Sequence, residues 1–331
     1  MSTAETTTGS AAETAQTATR TARQPRRTPG LVPVAETLST AERRTPEPAP
    51  PGLPPPVRRP GAFWRLLGSE LGLTFRRPRN LAMLAVVGAV PILVGVALRM
   101  VGGGDDDGMG GMIASVAGNS LMLTFVSFSF LTLLLMPVAV AVVGGDSIAG
   151  EAGAGTLRYL LAAPAGRTRL LAVKFLNVVV YGYAVTAVVA LSALVTGLLL
   201  FPAGDVTLLS GTTVPLTDGL LRIALSVGYI GAGMAALGAV AVALSTFTEV
   251  PVGAIAGTVV AVVVCQVLRA IPDLAPLEPY LLPARFTSFD SVLRDPIDTG
   301  TLLDGLSVFG AYTVLSLSVA WARFTGKDIT S

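Results

Sequence analysis

Reactive side chains are scarce in this sequence, and the densest group of them falls between residues 144 and 174. Glu151, Thr156, Arg158, Arg167, Arg169 and Lys174 stand there among glycines and alanines. Charges spaced this way can pair, bind anions or form a contact surface, but they lack what catalysis needs. The 331 residues include no histidine, which removes the commonest general base and neutral metal ligand. The one cysteine, Cys265, excludes an intrachain disulfide framework and a multi-thiolate metal centre, and reads as a small buried apolar residue. A phosphate-cradling loop needs glycines followed by Lys and then Ser or Thr. Of the two lysines, Lys174 follows Val173 and Lys327 precedes Asp328, so neither complies. Asp105–Asp107 are adjacent acids in a glycine-rich stretch. Calcium wants about six to eight oxygens from spaced positions, so a solvated loop is expected there. No catalytic residue and no metal site is assigned.

The elements that must carry this polar island are apolar and long. Of all residues 52% are apolar and only 13% charged, with a mean hydropathy of +0.68. A soluble domain carries about 25% charged residues, so a soluble enzyme is not expected. A membrane-spanning helix needs about 20 mostly apolar residues. Six stretches qualify, at about 81–100, 120–143, 175–201, 223–246, 251–269 and 305–322. The expected fold class is therefore all-α, a polytopic membrane protein. Net charge is only +2, and no nucleic-acid partner is expected.

Before the first span, Phe63, Leu67, Leu71 and Phe75 recur at fourfold spacing, with Trp64 beside them and Arg65, Arg76, Arg77 and Arg79 around them. That pattern predicts an amphipathic interfacial helix over 62–78. Residues 1–60 are rich in Pro, Thr and Ala and too poor in apolar side chains to offset ordering entropy, so a disordered cytoplasmic arm is expected. It holds no apolar core for a signal peptide. Lys and Arg concentrate in alternate segments, notably Arg65, Arg76, Arg77, Arg79, Arg158, Arg167, Arg169, Lys174 and Arg323. The other segments carry Asp105–Asp107, Asp205, Asp218, Asp273, Glu278, Asp290, Asp295 and Asp298. The positive-inside rule then places both termini in the cytoplasm.

Within the polar island, Thr156–Leu161 can form a short helix with Leu157, Leu160 and Leu161 on one face and Pro164 as its stop. Such a face requires a partner surface, or else it rests on lipid. Glu151, Gly155, Thr156, Leu157, Leu160, Leu161, Pro164, Arg167 and Lys174 together make a pattern that resembles the cytoplasmic signature of ABC-2-type permeases, the membrane subunits of ATP-binding-cassette exporters. The resemblance extends over roughly residues 61–331. Members often have Val-Ser between the proline and the arginine, where this chain has Ala165-Gly166. It implies a transport subunit, not an enzyme, driven by a separate ABC ATPase docking on the 146–174 segment through Glu151, Gly155, Thr156, Leu157, Leu160, Leu161, Pro164 and Arg167. It further implies a second permease copy or paralogue, and export across a bacterial plasma membrane. ATP and Mg would sit on the partner, with no cofactor in this chain.

Other residues bear on packing and on rival functions. Gly228 and Gly231 begin small-residue faces on the fourth span, and Gly253 and Gly257 form a GxxxG on the fifth. Such faces let helices approach closely in lipid, within one chain or between two. An ion-gradient-driven secondary transporter would be marked by acids in mid-span, and none is present. A membrane anchor or scaffold whose arm recruits partners is the remaining alternative.

Overall fold

The computed structural model describes residues 61–101, 119–155, 166–202, 204, 206–207 and 212–326. The predicted arm and Asp105–Asp107 lie outside the described residues. Helix α1, Ala62–Arg76, turns Leu67 and Thr74 inward against the third long helix and leaves Trp64 and Leu73 exposed. Arg77 is extended (φ −70°, ψ 123°), as the residue before a proline prefers, and Pro78 opens α2, Pro78–Val101. Pro91 lies inside α2 without ending it.

The second crossing differs from the single span expected over 120–143. It is two helices, α3 (Met122–Leu131) and α4 (Leu135–Gly153), separated at residues 132–134. Pro137 accounts for the gap, since it has no N–H to offer and its ring crowds the carbonyl four residues back, at Leu133. Leu134 takes φ −146° and ψ −50°, and α4 restarts so that Pro137 falls in its first turn, where proline is tolerated. The Thr132 hydroxyl donates to Phe128 O at 2.6 Å, while Phe130, Leu133 and Leu134 are exposed beside it.

The remaining long helices are α5 (Arg167–Leu200), α6 (Leu216–Ser245), α7 (Pro251–Arg269) and, after a short helix α8 (Leu282–Phe286), α9 (Thr299–Gly326). A small antiparallel hairpin pairs β1, Val206–Thr207, with β2, Thr213–Val214. Two 3-10 turns, Pro272–Tyr280 and Thr287–Leu293, flank α8. The chain is a multi-pass membrane protein: among the described residues six helices, namely α2, α4, α5, α6, α7 and α9, are long and apolar enough to cross a bilayer. Helix α6 is the hub, packing on α4, α5, α7 and α9. Of its most apolar window 67% is buried, against 17% for α7 and 11% for α9, which leaves those two largely exposed on the outside of the bundle.

The helix ends sort into two groups. At one end Arg167 donates to Thr325 O (2.8 Å), Arg323 lies over Phe247, and Ser245 Oγ donates to Gly145 O (2.8 Å). This basic end gathers Arg65, Arg76, Arg77, Arg79, Arg167, Arg169, Lys174 and Arg323. At the other end Ser120 N donates to Pro202 O, and buried Arg222 pairs with Asp218 (3.0 Å) and donates to the Val292 and Arg294 carbonyls. Asp273, Glu278, Asp290, Asp295, Asp298 and Asp304 lie in the segments at that end.

Close helix approach falls on particular glycines. A Cβ on Gly144 would stand 2.6 Å from Ala241 Cβ, and one on Gly238 2.6 Å from Val178 Cγ1. Gly231 lies flat against the Tyr183 ring. A Cβ on Gly228 would meet nothing within 4 Å, and on Gly253 and Gly257 only ordinary contacts at 3.4 and 3.6 Å.

Candidate functional site

Three elements meet at the basic end to form one ionic junction. The side chain of Lys174, in the second turn of α5, is only 5% exposed. Its Nζ donates to Glu70 Oε2 of α1 at 2.8 Å and to Glu151 Oε1 of α4. A buried ammonium with two carboxylate acceptors is an arrangement in which each charge offsets another's desolvation. Beside it, Arg77 and Arg79 both donate to Asp146 Oδ2, at 2.5 and 2.9 Å. The Asp146 carboxylate folds across Gly150, where an added Cβ would stand 2.5 Å from Oδ1. Three acids and three bases thus balance here, and all of them but Arg79 line a cleft of about 310 Å³.

Its apolar-side wall is neutral and polar. Asn177 Nδ2 donates to Thr74 Oγ1 (2.9 Å), Asn80 Nδ2 to Thr74 O (3.0 Å) and Tyr181 OH to Asn80 O (3.1 Å). Asn80 Oδ1 and Asn177 Oδ1 are buried without a hydrogen-bond partner. Ser245 of α6 ties down α4: its Oγ accepts from Ile148 N (3.1 Å) and Ala149 N (2.8 Å). Among the described residues no group of three or more Asp, Glu, His or Cys is placed to hold a metal.

Helix length puts the junction beside the bilayer rather than within it. At 1.5 Å per residue the 34 residues of α5 extend about 51 Å, against roughly 30 Å of hydrocarbon. Arg99 donates to Leu200 O at the far end. Counting about 20 residues back from there leaves Lys174 and Asn177 beyond the apolar core.

The sequence pattern is partly assembled here. Glu151 and Lys174, 23 positions apart, meet directly. Gly155 has φ +69° and ends α4, with Ala154 N bonded to Gly150 O and Gly155 N to Ala152 O, a left-handed helix stop. Gly166, at φ +71°, precedes the first residue of α5, in a backbone region that favours glycine. Arg167 is drawn away to Thr325 O on α9. Thr156, Leu157, Leu160, Leu161 and Pro164 lie outside the described residues. The expected inside loop is also shorter than 144–174, because α4 continues to Gly153 and α5 begins at Arg167. Glu70 and Asp146 escaped the sequence reading, although Glu70 is the one acid of α1 and stands on its inward face.

A family model described as "Protein of unknown function (DUF2705)" matches residues 111–330. No curated protein matches the chain.

Proposed function

The chain belongs to the DUF2705 family of unknown function, and from that premise we propose that it is the permease subunit of an ATP-binding-cassette exporter. The observation that carries this reading is the Glu151–Lys174–Glu70 junction. It clamps the two ends of the 154–166 segment to each other and to α1, as a docking element for a driving partner requires. The basic end faces the cytoplasm by the positive-inside rule. A separate ATPase, carrying ATP and Mg, docks on the 146–174 segment. Its closure displaces that segment, and α4 and α5 pass the displacement into the bundle. Two such bundles, from a second copy or a paralogue, alternate access to a shared path. Broken backbone at bilayer depth is tolerated where protein covers it or where it lines a cavity, which supports placing the path beside residues 132–134.

The test is co-purification with the ATPase and substrate-stimulated hydrolysis in vesicles. Leu157→Ala removes one interface leucine worth about 1–3 kcal/mol and weakens ATPase binding roughly ten- to a hundredfold while leaving insertion intact. Wild-type binding and transport by this variant refute the docking assignment. The broken α3–α4 crossing favours one rival, an ion-gradient-driven carrier, since discontinuous helices often frame ion sites. Uptake or efflux in vesicles without any ATPase, collapsed by an ionophore, would establish that rival.

A further inference from the structure

An apolar groove of about 380 Å³ opens at the basic end between α1, α5 and α9. Phe63 forms one wall, Leu317 and Trp321 the other, and Leu171, Ala172, Phe175 and Leu176 of α5 its floor. From Thr168 to Leu176 the floor extends about 12 Å along α5, directed from the basic end toward the bilayer centre. Trp321 is half exposed, and its indole N–H donates to Thr168 Oγ1 at 3.1 Å, so the ring stands at the mouth as interfacial tryptophans do.

Two arginines stand beside the groove. Arg167 is held at the last turn of α9 through Thr325 O. The Arg169 guanidinium carbon lies 5.9 Å over the Phe63 ring, and its Nε is buried with no hydrogen-bond acceptor. A desolvated guanidinium N–H needs an acceptor, preferably an anionic one. The groove supplies none to it: Phe63, Leu317 and Trp321 are apolar or donors, and Thr168 Oγ1 accepts from Trp321. An apolar slot at the bilayer surface, beside an arginine lacking an acceptor, matches the glycerol and upper acyl region of an anionic lipid.

We propose that this groove seats one anionic phospholipid, its glycerol backbone and first acyl carbons lying along Leu171–Leu176 and its phosphate accepting from Arg169. The seat depends on the chain being a membrane protein and not on what the chain transports.

Two tryptophans in the chain make the test direct. In a Trp64→Phe background, Trp321 reports alone. The full chain is reconstituted in vesicles containing graded fractions of either dibrominated phosphatidylglycerol or dibrominated phosphatidylcholine, whose bromines quench tryptophan on contact. Trp321 is expected to be quenched at a several-fold lower fraction of the phosphatidylglycerol. Arg169→Gln should cut that preference about fivefold, and Ala172→Phe, which fills the floor, should reduce quenching by both lipids. Equal quenching by the two headgroups, or a preference that survives Arg169→Gln, overturns the proposal and leaves only ordinary boundary lipid.

Discussion

Replacing Lys174 with Met keeps the length of the side chain and removes the charge that two carboxylates share. The side chains of Glu70 and Glu151 are 12% and 21% exposed, so water reaches them poorly. Both contact the same Nζ, which sets them no more than roughly 5 Å apart. At an effective dielectric of about 20, two such charges repel by about 3 kcal/mol. Loss of one partner from a buried pair costs about 3–5 kcal/mol in other proteins, so the two routes agree. For a bundle of this size the midpoint of thermal unfolding should fall by about 6–10 °C. The assay is thermal unfolding in detergent at matched scan rate, since membrane proteins unfold irreversibly. The decisive comparison is the triple variant Glu70→Gln, Glu151→Gln, Lys174→Met. It removes all three charges of the Glu70–Lys174–Glu151 cluster and should recover most of the loss, because the cost lies in uncompensated charge rather than in packing. A Lys174→Met midpoint within about 1–2 °C of wild type, or a triple variant no better than the single, refutes the reasoning.

Pro137→Ala supplies an N–H and removes the ring, so α3 and α4 should draw together; slower hydrogen–deuterium exchange of the amides at 134–136 would show it, and unchanged exchange would assign the break to tertiary contacts. Gly144→Val drives a side chain into Ala241 and should cost about 1–3 kcal/mol, whereas Gly228→Ala, with open space before it, should stay within about 0.5 kcal/mol in the same unfolding assay. Asp298 accepts from Thr301 N (3.1 Å) and Thr301 Oγ1 (2.7 Å) at the start of α9, and these bonds from Thr301 hold its carboxyl below the usual aspartate value. A lowered folded value means stability present above the unfolded value and lost as pH falls through the folded one, so acidification below about pH 4 should loosen the start of α9. Exchange of the Thr301 amide against pH reads this, and Asp298→Asn should flatten the profile.

The six apolar stretches and the stripe of α1 were legible because each depends on residues within one element. The split of basic from acidic segments was legible for the same reason, and it reappears as the two ends of the bundle. The break at residues 132–134 was less so, for Pro91 and Pro137 look alike in the sequence, yet only one interrupts its helix. Neither local sequence nor the amount of packing separates them: α2 runs through Pro91 with 22% of its apolar window buried, whereas α4, at 61%, starts afresh just before Pro137. The junction shows the same limit. Glu151 and Lys174 were visible as a pattern, but Glu70 and Asp146 acquire partners 104 and 67 to 69 positions away, which no local spacing announces. Small-residue periodicity likewise marked Gly231 and passed over Gly144 and Gly238, because closeness depends on the facing helix.

Helix α5 is unbroken while the crossing that packs along it is divided, and this inequality has a mechanical consequence. Ser120, just before α3, is fixed against α5 at Gly197, near one end of the bundle; α4 is fixed to α5 through Glu151 and Lys174, near the other. A continuous rod and a jointed one pinned at both ends cannot slide past each other as rigid bodies. Any shift of α4 along α5 must therefore be absorbed by opening or closing the joint at Thr132–Leu134, which makes the joint's span a gauge of strain between the two ends of the molecule.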